Sequence, residues 1–271
     1  METTMKNVLV LVHDDDGQEA RLQAALDLTR ALDGHLSCVD VSLYPAFAGD
    51  YYYGGGGAAG MLLADERQRE SKNKAKLSAR LVTEGVSWDW TDVTGNFFEA
   101  IVDAARLADV VVVNRELERY PYPDMHGVAS RILTHVRVPV LAVSAEQRGL
   151  KIGRALVAFD GQASSAATMR ACVPILRLAE AVEILMVRDG AEQVEPSEAA
   201  AYLSRHGIHA EVKIVDDGLQ PADRYIKEES DNFRADYVVM GAYSHGRLME
   251  TFGGVTKRML RNSHVPLLLG H

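Results

Sequence analysis

Two stretches of the chain repeat one another at a fixed distance, and this constrains the fold more than any other feature. ADVVVVN at 108–114 is answered by ADYVVMG at 235–241. GVASRIL and VRVPVLAV follow the first, and GVTKRML and SHVPLLLG follow the second. Asp109 and Asp236, Gly127 and Gly254, Arg131 and Arg258, Leu133 and Leu260, and Pro139 and Pro266 are all offset by 127 residues. Chance matches a few apolar positions, but it does not hold one offset through strand, loop, helix and strand. The chain is a duplicated domain. The front ends agree: an apolar run at 6–12 closes in HDDDGQ, and another at 153–159 closes in DGQASS. Setting His13 against Asp160 gives an offset of 147, so the first half carries about 20 extra residues. Tyr44 to Gly60, with its YYYGGGG run, takes up that surplus and is too glycine-rich to hold regular structure cheaply. The polar segment Ala145 to Lys151 marks the boundary, giving one domain over 1–146 and a second over 151–271.

Within each half, β-branched apolar runs alternate with helical patterns. The first half reads VLVLV, a helix over Gln18–Leu32, LSCVDV, a helix over Leu62–Glu84, WDWTDV, a helix over Phe97–Leu107, VVVV, a helix over Ala129–Val136, and VPVLAV. The second reads ALVAF, Ser165–Ala179, VEILMV, Pro196–His206, AEVKIV, Ala222–Phe233, YVVM, Thr256–Asn262 and VPLLLG. Near-continuous apolar strands separated by amphipathic helices describe parallel sheets covered on both faces. Right-handed crossovers then give an α/β fold of two tandem doubly wound, Rossmann-like domains.

Charge narrows the function. With 38 acidic against 29 basic residues the net charge is −9, which disfavours nucleic acid and anionic membrane as partners. No run approaches the roughly 20 apolar residues of a membrane span, and the polar start does not read as a secretory signal, so a cytoplasmic home is expected. Cys38 and Cys172 fall in a strand and a helix pattern and read as buried structural thiols. Trp88 and Trp90 alternate along a strand and suit packing. A metal site is not expected: His206 and His209 straddle a helix end, and His13, beside Asp14 and Asp15, would need a distant ligand.

In doubly wound sheets ligands bind beyond the carboxyl ends of the strands. Two loops of the second half reach that edge, FDGQ at 159–162 and the glycine-bearing segment 241–256. Glycines admit close backbone approach to a phosphate, and a helix starting near Val255 offers unpaired N–H groups. Asp160 is suited to accept from ribose hydroxyls. Turn glycines after strands are also ordinary punctuation, and the two readings stand side by side. No G-x-x-x-x-G-K-[ST] stretch occurs, so a P-loop is excluded. Nor does a G-x-S-x-G elbow accompany Ser164 and Ser165.

A duplicated half with an aspartate and glycine closing the first strand, then VMGAYSHGR and GGVTKRML before VPLLL, resembles the universal stress protein family in its tandem form. The resemblance spans both halves. ATP-binding members carry G-x-x-G, nine residues, then G-[S/T], after the fourth strand. Gly241 matches the first glycine, Ser244 falls at the second, and Gly246 follows two residues on. Gly253-Gly254-Val255-Thr256 matches the closing motif, with Gly254 in place of the phosphate-touching hydroxyl residue. Losing that hydrogen bond costs on the order of 1 kcal/mol. Asp160 matches the family aspartate and Ala158 a backbone position near the adenine; His245 is either a phosphate contact or merely exposed. The resemblance thus implies ATP, with or without Mg²⁺, bound by Ala158, Asp160, Gly241, Ser244, His245, Gly246, Gly253, Gly254, Val255 and Thr256.

The first half departs from the pattern. His13 stands for Asp160, Asn114 for Gly241, and the loop RELERYPYPDMH brings Glu116, Glu118 and Asp124 with Pro121 and Pro123. It reads as a structural copy that has lost ATP. The resemblance also implies that the last strands of the two domains pair, so that one chain imitates a dimer; whether two chains associate further stays open. The expected role is a non-catalytic stress-response protein whose nucleotide locks the 241–256 loop and alters a surface read by a protein partner. A slow ATPase using the same cradle, with Asp160 and Thr256 as the only candidate groups, and a purely structural interaction protein are the alternatives.

Overall fold

Alternate residues of each apolar strand point to opposite faces of a sheet, so runs with no polar member must be covered on both sides. The computed structural model describes residues 5–43, 56–115, 125–188, 190, 193–216, 219–242 and 254–271, the side chains of 56–59, 125–128 and 130 excepted. In chain order the first half comprises β1 (Asn7–Leu11), α1 (Gln18–Ala31), β2 (His35–Leu43), α2 (Gly56–Leu81), β3 (Ser87–Gly95), α3 (Phe97–Ala104), β4 (Val110–Asn114), α4 (Met125–His135) and β5 (Val140–Val143). The second comprises β6 (Arg154–Ala158), α5 (Ala163–Ala171), α6 (Val173–Leu176), β7 (Ala181–Val187), α7 (Pro196–Arg205), β8 (Ala210–Val215), α8 (Ala222–Asn232), β9 (Tyr237–Gly241), α9 (Gly254–Asn262) and β10 (Leu267–Gly270).

The strands form one ten-stranded sheet in the order β3-β2-β1-β4-β5-β10-β9-β6-β7-β8. Neighbours run parallel except at the centre, where β5 and β10 pair antiparallel. Leu141 there faces Leu268, its own counterpart in the repeat, while Ala142 faces Leu267 and Val140 faces Leu269. A self-matched antiparallel pair is what a twofold relation between two copies requires. Val8, Val10 and Val12 pack under α1 and α2, whereas Leu9 and Leu11 join α3 and α4 on the other face. Cys38 and Cys172 are both buried in the first of these layers. Burial, followed by Asp89 and Asp40, pushes the Cys38 thiol up to about 12, which leaves it inert. Trp88 and Trp90 are partly buried against the same layer. Among the described residues no helix is long and apolar enough to cross a membrane.

The repeat also explains its aspartates. Asp109 Oδ2 accepts from the Asn7 amide at 2.8 Å, and Asp236 Oδ2 accepts from the Arg154 amide at 2.9 Å. Each pins the first residue of its half's leading strand. Two expectations need correction. Helix α2 begins at Gly56, inside the stretch assigned to irregular structure, because its 26 residues carry Leu77 and Leu81 into the core and packing outweighs the glycine cost. The helix expected over 165–179 breaks at Cys172 into α5 and α6, since Pro174 has no N–H to continue the ladder.

Glu183 on β7 is buried beside Glu229 of α8, which also holds Lys213. Burial first, then the Glu229 charge, push the Glu183 carboxyl up to about 7. The folded chain therefore binds more protons than the unfolded one between the ordinary carboxylate range and about pH 7, and stability falls as pH rises through that window. Glu183→Gln should melt close to wild type near pH 4.5 and a few degrees above it near pH 8. A gap in melting temperature that does not widen with pH would refute this assignment.

Candidate functional site

At the carboxyl edge of the second half, the loop after β6, the end of β9 and the start of α9 enclose a cavity of about 330 Å³. That volume lies within the range of small-ligand pockets. Phe159, Leu185, Val187, Ile226 and Met240 give it apolar walls, and Asp160, Arg188 and Arg258 bring charge to it. Of the residues marked by the sequence, Ala158, Asp160, Gly241, Gly254, Val255 and Thr256 all line this one space. Ser244, His245, Gly246 and Gly253 lie outside the described residues.

Each lining group has a local reason for its position. Gly161 after Asp160 sits at φ 71°, a left-handed turn that an L side chain rarely adopts, and the turn aims the chain into α5. Asp160 Oδ1 accepts from the Gln162 amide at 3.0 Å and from Ser165 Oγ at 2.5 Å, which ties the carboxylate to the first turn of α5. At Gly241 a Cβ would lie 2.7 Å from the Ser165 nitrogen and 2.9 Å from its Cα, so only glycine lets α5 pass over the end of β9. The opening residues of α9, Gly254 to Thr256, bring the free N–H groups of a helix start to the cavity wall.

Sequence reasoning missed the two arginines and the Gln220–Pro221 corner. Arg258 donates to Asp223 Oδ1 from Nε at 2.7 Å, and Arg188 pairs with Glu195 at 2.8 Å and with Asp216 at 3.2 Å. Hydrogen bonding to Asp223 raises Arg258 above its ordinary value, so its charge is permanent. Its place one helical turn beyond Gly254 was the available signal.

Among the described residues, the first half sets Arg21, Asp15 and Asn114 against one another at the equivalent edge. Its loop between β1 and α1 is two residues longer than that between β6 and α5. Strand counting sets His13 against Asp160, but the hydrogen-bonding role of Asp160 passes to Asp15, whose Oδ1 accepts from the Gly17 amide at 2.8 Å. A fixed offset could not reveal a shift that begins inside a loop. Asp15 is committed to Arg21, which contacts it at 2.9 and 2.7 Å and also donates to Leu11 O at 2.9 Å, His13 O at 3.1 Å and Asn114 Oδ1. Asn114 packs against Gly17, where a Cβ would fall 2.5 Å from its Oδ1. The glycine of this contact has changed sides between the copies. Glu116, Glu118, Pro121, Pro123 and Asp124 lie outside the described residues.

A sequence profile described as the universal stress protein family matches residues 4–144, the first half rather than the second. A universal stress protein from Archaeoglobus fulgidus DSM 4304 superposes with a TM-score of 0.74 at 14% identity, covering 97% of this chain and 95% of that one. A candidate universal stress protein from Pseudomonas aeruginosa UCBPP-PA14 superposes with a TM-score of 0.61 at 15% identity, covering 98% and 93%. Comparison with curated proteins gives no match. At these identities the structural likeness speaks to fold alone, and the coverage extends that likeness over both halves.

Proposed function

The chain belongs to the universal stress protein family, and from that premise we propose that its second half binds an adenine nucleotide, ATP, while its first half is structural. The observation that carries the reading is the convergence of Asp160, Gly241 and the start of α9 on one cavity with an apolar wall and two arginines. An apolar slot suits a base, an aspartate suits ribose hydroxyls, and helix N–H groups with arginines suit phosphates. In the first half Arg21 already neutralises Asp15, so that carboxylate is not available to a sugar. Because Asp160 and Asp223 set negative charge beside the arginines, ATP is expected to enter with Mg²⁺. Locking of the 241–256 loop would then alter a surface available to a protein partner, in the cytoplasm by expectation.

Titrating the full chain with Mg·ATP tests this. A hundredfold excess over Kd adds about 2.7 kcal/mol, which raises the melting temperature by roughly 5 °C or more. Absence of any shift at millimolar ATP would leave the purely structural reading. Mg²⁺-dependent phosphate release that disappears in Asp160→Ala would favour the hydrolase reading instead.

Gly254 gives a prediction in the opposite sense. Its Cβ position lies 2.7 Å from the tip of Arg258, a flexible neighbour that can move. Gly254→Ser should therefore be accommodated and restore a hydroxyl at the phosphate end, tightening ATP by roughly five- to tenfold, about 1 kcal/mol. Unchanged or weaker affinity by calorimetry would count against placing phosphate there.

A further inference from the structure

A second cluster of chemically able side chains lies in the first half, away from the cavity. His13 follows β1, Asp40 lies on β2 and Glu70 on α2; all three are buried, and one ligand atom from each lies within 4.8 Å of the others. His13 Nδ1 is 2.9 Å from Glu70 Oε1 and 3.1 Å from the Val41 carbonyl. Donor atoms around an ion with bonds of about 2.0–2.2 Å lie roughly 3.3–3.6 Å apart in a tetrahedron, so small side-chain rotations would bring this set to an ion. Asp40 is 3% exposed, yet its Oδ1 has no hydrogen-bond partner. A buried carboxylate oxygen left so is costly unless a proton or a cation reaches it.

Charge points the same way. Asp40, Glu66 and Glu70 bring three carboxylates, against which Arg69 supplies one cation, held by Glu66 at 2.9 Å. Lys74, the next cation, is engaged by Asp92. Two carboxylates are thus buried side by side. On the far side of the imidazole, Arg69 Nη2 stands 3.3 Å and Glu66 Oε1 4.0 Å from His13 Nε2, and Glu66 holds that guanidinium at 2.9 Å, so its carboxylate offsets the arginine's charge beside the ring. The second copy lacks the set: strand register places Met186 where Asp40 stands, and α7, at 10 residues, has no counterpart to the long α2.

We propose that His13, Asp40 and Glu70, assisted by the Val41 carbonyl, form a binding site for one divalent first-row transition ion of the zinc class. Imidazole among the donors favours such an ion over Mg²⁺ or Ca²⁺, which prefer oxygen alone. The ion would clamp α2 to β1 and β2, joining the segment that distinguishes this half to its strands.

The test uses the full chain stripped with chelator and dialysed. Zn²⁺ is titrated by calorimetry, and Co²⁺ is followed by its visible ligand-field absorption. One equivalent should bind, the Co²⁺ band should appear, and Zn²⁺ should displace it. Asp40→Asn and His13→Gln should each weaken binding by roughly 100-fold, and Glu66→Gln by about tenfold. Glu66→Gln removes no proposed ligand, so it remains informative should either ligand variant fail to fold by circular dichroism. A double substitution of His206 and His209 should change nothing. Failure of the stripped chain to take up stoichiometric Zn²⁺ at micromolar concentration would overturn the proposal. So would unaltered binding in folded Asp40→Asn, or loss of binding in the His206/His209 variant. ATP affinity is a separate readout in the other half and is expected to stay unchanged throughout.

Discussion

Replacing Arg21 with alanine is expected to lower stability by about 3–5 kcal/mol, the range found when one partner of a buried ion pair is removed. Arg21 and Asp15 are effectively absent from the surface, at 0% and 1% side-chain exposure. The guanidinium satisfies the Asp15 carboxylate, two main-chain carbonyls and the Asn114 amide oxygen together. Alanine leaves a buried carboxylate without the cation that holds it. Urea unfolding monitored by far-ultraviolet circular dichroism measures the loss. Arg21→Lys should recover part of it, since a point charge replaces the fork without matching its geometry. A loss under about 1 kcal/mol for Arg21→Ala would show that Asp15 is solvated and that the network contributes little. ATP affinity should survive in whatever fraction of the variant is folded, because the network lies in the other copy.

Gly241→Val is expected to act on fold and ligand at once. Its Cβ would meet the Ser165 main chain at 2.7 and 2.9 Å, and main chain cannot rotate out of the way as a side-chain tip can. Overpacking of this kind costs about 1–3 kcal/mol, and the displacement falls on the first turn of α5. That turn holds Asp160 through Ser165 Oγ and the Gln162 amide, so a shift of α5 moves the carboxylate relative to the start of α9. ATP-dependent stabilisation should disappear while the variant still unfolds cooperatively at a lower denaturant midpoint. Gly254→Ala is the matched control, for there only the mobile end of Arg258 is met. Equal ATP affinity in Gly241→Val and wild type would separate the β9 glycine from nucleotide binding altogether.

The sequence by itself determined the α/β class and the order of strands and helices, because periodicity is a property of local sequence. It also named six of the residues that line the cavity, since strand ends and helix starts carry recognisable glycines and aspartates. Arg188 stayed hidden because a cation's membership in a site depends on which loops meet, and nothing along the chain marks that meeting. The transfer of the Asp160 role to Asp15 was hidden by two extra loop residues, which only hydrogen bonds could register. The clustering of His13 with Asp40 and Glu70, 27 and 57 positions apart from it, came from β1 lying beside β2 and from α2 lying over both. Tertiary structure alone decided these features, because burial and proximity between distant segments set the charge and hydrogen bonding of a group, and neither is encoded within any single segment.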